Sequence, residues 1–184
     1  IMARDVSAYV GAAPVPFQAY LESVQAQSIR NERPTPALLQ KAFEDLILDH
    51  GMLHTLGPAV NSGRGLFLYG APGNGKTSIA ERIVHCFEDV MFIPKTLWID
   101  GQLVQLFDPE THHALTTEDL TTPFDTRWIA IRRPVVTVGG ELTLDSLEIK
   151  FNSLLRVSEA PLQMKANGGI FFIDDFGRQR IHPT

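Results

Sequence analysis

The stretch GLFLYGAPGNGKTSIAERI, residues 65–83, decides how this chain is read. Leu66, Phe67, Leu68 and Tyr69 form a short apolar run of the kind that makes a buried strand. Gly70, Ala71, Pro72, Gly73, Asn74, Gly75, Lys76 and Thr77 follow, and they fit the pattern G-x-x-x-x-G-K-[ST]. From Ser78 onward the apolar residues fall at helical spacing, on Ile79, Ile83, Cys86 and Phe87. Strand, glycine-rich loop and helix in that order make a cradle for phosphate. Gly70, Gly73 and Gly75 lack Cβ, so the backbone can come close to an anion and turn its N–H groups into one concavity. The helix after the loop adds a partly positive N-terminus. Lys76 supplies a full charge for the β- and γ-phosphates, and the Thr77 hydroxyl can ligate Mg²⁺. With Ser78, the residues from Gly70 to Thr77 are the expected nucleotide-binding set.

The bulk numbers bound the rest. The chain has 184 residues, enough for one sizeable core. It is 44% hydrophobic and 20% charged, an ordinary globular composition. No apolar run reaches the length of a membrane span. A net charge of −5 argues against a dedicated nucleic-acid binder, although it leaves room for a local basic patch. The single cysteine, Cys86, rules out an internal disulfide and fits a reducing, cytoplasmic setting. On its helical stripe it reads as packing.

Upstream of the loop, helices are expected over about 17–29 and 35–50. Thr35 caps the second, Pro36 opens it, and His50-Gly51 reads as its stop. A further short helix over 52–60 leads to a turn at 61–64. Downstream, residues 90–144 turn β-rich. Asp100-Gly101 between two apolar runs predicts a hairpin. A second hairpin is expected around Pro134, joining 128–131 to 135–138, and Gly139-Gly140 then turns into 142–144. The two hairpins read as an insertion, at about 94–145, into a simpler α/β plan. The domain reading is therefore an N-terminal helical segment, 1–64, and a loop-bearing core, 65–184. In the polar loop between the hairpins Asp108, His112, His113 and Glu118 could be considered as metal ligands. Adjacent histidines diverge, so a solvated loop is expected instead. Arg127, Arg132, Arg133 and Lys150 make a loose basic set.

The second informative stretch is GGIFFIDDFG, residues 168–177. Four apolar residues predict a buried parallel strand with two carboxylates at its C-terminal end, where open α/β sheets place ligands. A phosphate-hydrolysing loop protein needs one acid there for Mg²⁺ and one group to position water. Asp174 suits the metal role, with Thr77, and Asp175 the water-activating role, with Lys76 as the catalytic cation.

Together, GAPGNGKT and IFFIDD resemble the AAA+ ATPases, in the additional-strand branch of the P-loop NTPases. The resemblance runs from about Tyr9 to Gly177. It implies an α/β fold, a P-loop three-layer sandwich with a parallel core sheet. It implies ATP with Mg²⁺, assembly into a homo-oligomeric ring, and hydrolysis that drives remodelling of a macromolecular partner, which the sequence does not identify. Tyr9-Val10-Gly11 resembles the family's adenine-packing element, at an unusually long distance from Gly70. The family pair is Asp-Glu where this chain has Asp174-Asp175. The Asp-Asp pair resembles the replication-initiator, helicase-loader and transposase-helper branch, and a nucleotide-dependent switch or helicase-loader-like protein with little turnover is the alternative reading. A P-loop small-molecule kinase is a third reading; the acidic pair suits water attack, and no acceptor-binding lid sequence follows. The family places a further strand between the loop's strand and the Asp174 strand, then an arginine finger and a lid, all beyond Thr184. The expectation is a fragment, starting at Ile1, with a gap in its sheet, weakened nucleotide binding and negligible hydrolysis. Arg178 and Arg180 read as solvated residues after the strand.

Overall fold

The computed structural model describes residues 9–48, 50–71, 73–116, 124–153 and 156–174. Pro72, Glu118, Asp175, Arg178 and Arg180 fall outside them.

Helices dominate the first half. β1 (Val15–Pro16) runs straight into α1 (Phe17–Ala26), which buries Tyr20. Gln27 closes α1, and its side-chain amide imitates a neighbouring strand. It accepts from the Phe92 N–H at 2.6 Å and donates to the Phe92 carbonyl at 3.0 Å. α2 (Pro36–Ala42) begins as expected, with Thr35 Oγ1 accepting from the Leu38 N–H at 3.3 Å. It ends sooner than its apolar stripe suggests, because the backbone leaves the helix at Phe43, whose ring is buried. His50-Gly51 then opens α3 (His50–Asn61) rather than stopping a helix. α4 (Lys76–Ile83) follows the glycine-rich loop. Leu39 and Phe43, Leu56 and Val60 from α3, and Ile79 from α4 share one apolar cluster with Cys86 and Phe87. Burial pushes the Cys86 thiol up to about 11, which keeps it protonated and unreactive at neutral pH.

The second half is mostly strand. β2 (Val90–Pro94), β3 (Thr96–Ile99) and β4 (Gln102–Gln105) come in quick succession. β3 and β4 form the expected hairpin, with Asp100 at φ 46° and Gly101 at φ 82°, both in the left-handed region that a tight two-residue turn demands. β7 (Lys150–Asn152) and β8 (Val157–Glu159) extend this sheet to the order β1-β3-β4-β8-β7. β1 and β3 are parallel, as are β4 and β8; the other two pairings are antiparallel. Val15, Leu97 and Val104 pack there with Met91, Ile93 and Ile131 in the largest buried cluster.

The second expected hairpin does not form. β5 (Trp128–Arg132) turns back to pair antiparallel with β2, from Val90↔Arg132 to Pro94↔Trp128. β6 (Val135–Val138) continues past Pro134 and pairs in parallel with β9 (Ile170–Ile173). Pro134 therefore separates two ladders instead of bending one. Its carbonyl accepts from the Ile170 N–H at 2.9 Å, and a Cβ at Gly169 would stand 2.0 Å from that same oxygen. Only glycine lets β9 start so close to β6. Residues 144–147 form a short 3₁₀ turn, not a strand, and α5 (Leu162–Lys165) packs beside it. The architecture is mixed α/β.

The loose basic set dissolves into separate pairs. Arg127 meets Asp125 at 2.6 Å and Arg132 meets Asp89 at 2.9 Å, both exposed. Arg133 is different: its side chain is 2% exposed. Its Nε donates to the Glu88 carbonyl, its Nη1 to the carbonyls of Gln27 and Gly168, and its Nη2 to Glu32 Oε1 at 2.5 Å. The other Glu32 oxygen accepts from the Glu88 N–H at 2.8 Å. One guanidinium thus ties the end of α1, the approach to β2 and the turn before β9.

Arg133→Met should lower stability by about 3–5 kcal/mol, because it strands a carboxylate and three carbonyls together. Arg132→Met, at an exposed pair, should cost under about 1 kcal/mol. Urea midpoints for the two variants give the comparison, and equal losses would remove Arg133 from its central role.

Candidate functional site

The glycine-rich loop feeds α4 through two residues in the left-handed region, Gly73 at φ 84° and Gly75 at φ 69°. A Cβ built on either would meet nothing within 4 Å. Backbone conformation, not crowding, selects glycine there, and the space before the loop stays open. The bond from the Ile79 N–H to the Gly75 carbonyl, at 2.9 Å, closes the first turn of α4. The N–H groups of Lys76, Thr77 and Ser78 lie ahead of it, at the positive end of the helix. Gly70, Ala71, Gly73, Asn74 and Gly75 are all exposed. The Lys76 ammonium curls back over the loop and donates to the carbonyls of Gly70 and Ala71, each at 3.1 Å.

Thr77 and Asp174 meet, although 97 residues separate them. Thr77 Oγ1 donates to Asp174 Oδ2 at 3.3 Å. β9 delivers the carboxylate: the Asp174 N–H donates to the Val138 carbonyl at 2.7 Å, carrying the β6–β9 pairing one residue past the strand. A hydroxyl and a carboxylate beside the N-terminal amides of a helix are hard oxygen donors, and Mg²⁺ completes its octahedron readily with water and other oxygen ligands. The residues present fit that ion. Among the described residues, no group of three or more His, Cys, Asp or Glu side chains could hold a metal by itself.

Residues 66–69 depart from the expected strand. They join no sheet among the described residues. They keep a strand's alternation, with Leu68 packed on the helical cluster while Phe67 and Tyr69 are 70% and 87% exposed. A groove of about 620 Å³ lies between this segment and β9, floored by Val60, Ala80, Ile83 and Phe87. An extended segment needs a neighbour for its backbone groups to become a strand, and β9 stands across the groove, paired with β6. Tyr9 does not reach this region. Its hydroxyl bonds Thr96 Oγ1 on β3 at 2.7 Å and the Ala12 carbonyl at 3.0 Å.

No protein-family model matches the chain, and neither does any curated protein. Among the described residues, no helix is long and apolar enough to cross a membrane.

The loop around His112 is largely exposed at its described residues, His113 included, but His112 itself is not solvated. His112 is buried and its ring stacks on Phe107. Its Nδ1 accepts from the Asp108 N–H at 3.0 Å, so Nε2 carries the proton and donates to the Lys165 carbonyl at 2.9 Å. The Lys165 ammonium is buried too, between Asp108 Oδ2 at 2.8 Å and Glu159. The arrangement is an internal ion cluster rather than a metal site. The alternation of residue types carried no signal for it, because α5 supplies Lys165 from 57 positions away.

Stability should fall in acid in two stages. Burial holds His112 below its ordinary 6.5, so the folded state resists the proton that the unfolded chain takes up; that loss starts as pH drops below about 6.5. Burial alone would raise Asp108, but hydrogen bonds from Lys165 and the Glu110 N–H outweigh it and hold the carboxyl below 3.8, giving a second loss below that pH. Burial alone would likewise lower Lys165, yet Asp108 and Glu159 raise it above 10.5, so its contribution persists until pH rises through that raised value. Denaturation curves from pH 4 to 8 should show His112→Asn less stable overall but flatter as pH falls below about 6.5. An unchanged slope would show that His112 is not the titrating group.

Proposed function

We propose that the chain is an AAA+ type ATP-binding module, built on a P-loop sandwich, that hydrolyses ATP with Mg²⁺ to remodel a macromolecular partner. One observation carries the reading: the Thr77 hydroxyl and the Asp174 carboxylate meet at the N-terminus of α4, where a glycine-rich loop leaves space for phosphate. The same pairing supports hydrolysis over simple anion capture.

In this reading the amides of Gly73 to Ser78 and the α4 N-terminus hold the β-phosphate. Lys76 exchanges the carbonyls of Gly70 and Ala71 for phosphate oxygens, a trade of two neutral acceptors for charged ones. Thr77 and Asp174 would hold Mg²⁺, which supplies charge neutralisation on the phosphates when bound. Asp175, next along the chain, takes the proton of a water that attacks the γ-phosphorus; the bond to the bridging oxygen breaks and leaves ADP and phosphate. The aspartate is one methylene shorter than glutamate, so it must approach that water more closely. Ring assembly belongs to the same reading and follows from the resemblance alone.

Titration with a fluorescent ATP analogue, with and without Mg²⁺, tests the assignment. Lys76→Ala should weaken binding at least about tenfold, the cost of one lost charge-assisted contact. Asp174→Asn should abolish the Mg²⁺ enhancement and spare metal-free binding. A phosphate-release assay completes it: release that Lys76→Ala abolishes would support the ATPase reading over the switch, and binding indifferent to both substitutions would end the reading.

A further inference from the structure

The edge of a sheet carries unpaired N–H and C=O groups, and this chain covers some of its edges but not all. In the β2–β5 ladder both outer sides are taken. The Gln27 amide pairs with the Phe92 backbone on one side. On the other, Ala114 bridges Ile131, the Leu115 N–H donates to the Ala130 carbonyl, and the Arg132 N–H donates to the His113 carbonyl. The five-stranded sheet ends at β1, which is only two residues long, and at β7. Among the described residues β7 pairs with β8 alone, and Lys150, Phe151 and Asn152 are all exposed. Outside that ladder, no backbone hydrogen bond among the described residues uses residues 149–151.

A row of core side chains runs off that open edge. Cross-strand neighbours share a face of the sheet. Val15, Leu97, Val104, Ser158 and Phe151 stand opposite one another in turn, from β1 across to β7. The first four are at most 1% exposed, whereas Phe151 is 66% exposed. Ile149 lies two residues earlier, on the same side as Phe151, and is 44% exposed. The backbone is already extended at Glu148, with φ −110° and ψ 157°. Cover fails only at the last position of the row, and one further strand would supply it.

The charges on the segment identify that strand. Glu148, Ile149, Lys150 and Phe151 alternate charged and apolar side chains. Among the described residues neither Glu148 nor Lys150 has an ion partner. Set antiparallel to a copy of itself, with a two-fold axis at Ile149, the segment pairs them. Glu148 of one protomer stands opposite Lys150 of its partner, on both sides of the axis, and Ile149 faces Ile149. Phe151 falls opposite Leu147. An axis at Lys150 would set two like charges face to face, and an axis half a step away would set Ile149 against Lys150. We propose that two copies of this chain pair antiparallel through residues 148–151, on a two-fold axis at Ile149. A two-fold contact closes as a dimer, whereas a ring needs two unlike surfaces, so the proposal does not rest on the ATPase reading.

The test is sedimentation velocity of the whole chain, without ATP, over a range of concentrations. The seam is short, so the dimer should grow with concentration instead of persisting at every dilution. Glu148→Lys and Lys150→Glu should each weaken it at least about tenfold, because each reversal acts on both sides of the axis. An equimolar mixture of the two variants should recover the dimer, since every facing pair is then opposite in charge. Ile149→Cys under mild oxidation should give a covalent dimer, because facing Cα atoms about 5 Å apart suit a disulfide. Lys150→Cys should not, since two copies of residue 150 stand well beyond that reach. The native thiol, Cys86, is buried. All three substituted side chains are exposed, and melting curves would confirm that each variant folds. A monomer at every concentration would overturn the proposal. So would a dimer that both charge reversals leave intact, a mixture that stays monomeric, or growth past the dimer into open-ended aggregates.

Discussion

A single buried cation holds the parts of this molecule in relation to one another. Arg133 follows β5, yet its donors reach the end of α1, the approach to β2 at Glu88 and the turn before β9. Those segments border all three apolar clusters. No apolar side chain could do the same work, because what converges there is three carbonyls and a carboxylate, all acceptors. A guanidinium supplies donors in a fixed plane, and it satisfies groups that would otherwise each cost desolvation energy. The apolar clusters supply most of the stability. Arg133 decides how they are arranged.

The candidate site depends on that arrangement at two removes. Asp174 is placed by β9, and β9 is placed by β6 and by the close passage of Gly169 under the Pro134 carbonyl. The turn that makes this passage possible gives the Gly168 carbonyl to Arg133. Thr77 is placed independently, by the loop and by α4, whose far end is clamped when Arg82 meets Asp45 at 2.6 Å. The 3.3 Å approach of Thr77 to Asp174 is where these two lines of support meet. A change in either line shifts the hydroxyl against the carboxylate without touching them.

Local features were legible in the sequence where local chemistry decides them. The glycine-rich loop, the Thr35-Pro36 helix start and the Asp100-Gly101 hairpin each follow from a few adjacent residues whose backbone preferences are strong. Pairing between distant strands was not legible. Pro134 reads as a hairpin turn because proline breaks a ladder, but whether β6 folds back on β5 or goes on to β9 is set by Gly169, 35 positions later by number. The ion cluster of Asp108, His112 and Lys165 was hidden for the same reason. His112, in a polar stretch, looks solvated until a helix much further along covers it, while its neighbour His113 stays exposed. Arg133 looked like one of several surface cations because nothing in its neighbours distinguishes it from Arg132.

Residues 66–69 show the limit from the other side. Their alternation and apolar content are those of a strand, and the backbone is extended, with Leu68 packed inward. What makes a strand, however, is a partner for its N–H and C=O groups, and that is a property of the sheet and not of the segment. With β9 satisfied on one edge by β6, the segment and the strand face each other across an apolar groove instead of sharing a ladder. The loop they bracket still takes its shape, since Gly73 and Gly75 set their dihedrals locally. The geometry of the glycine-rich loop therefore rests on the loop itself and on α4, while the placement of the acid opposite rests on β6.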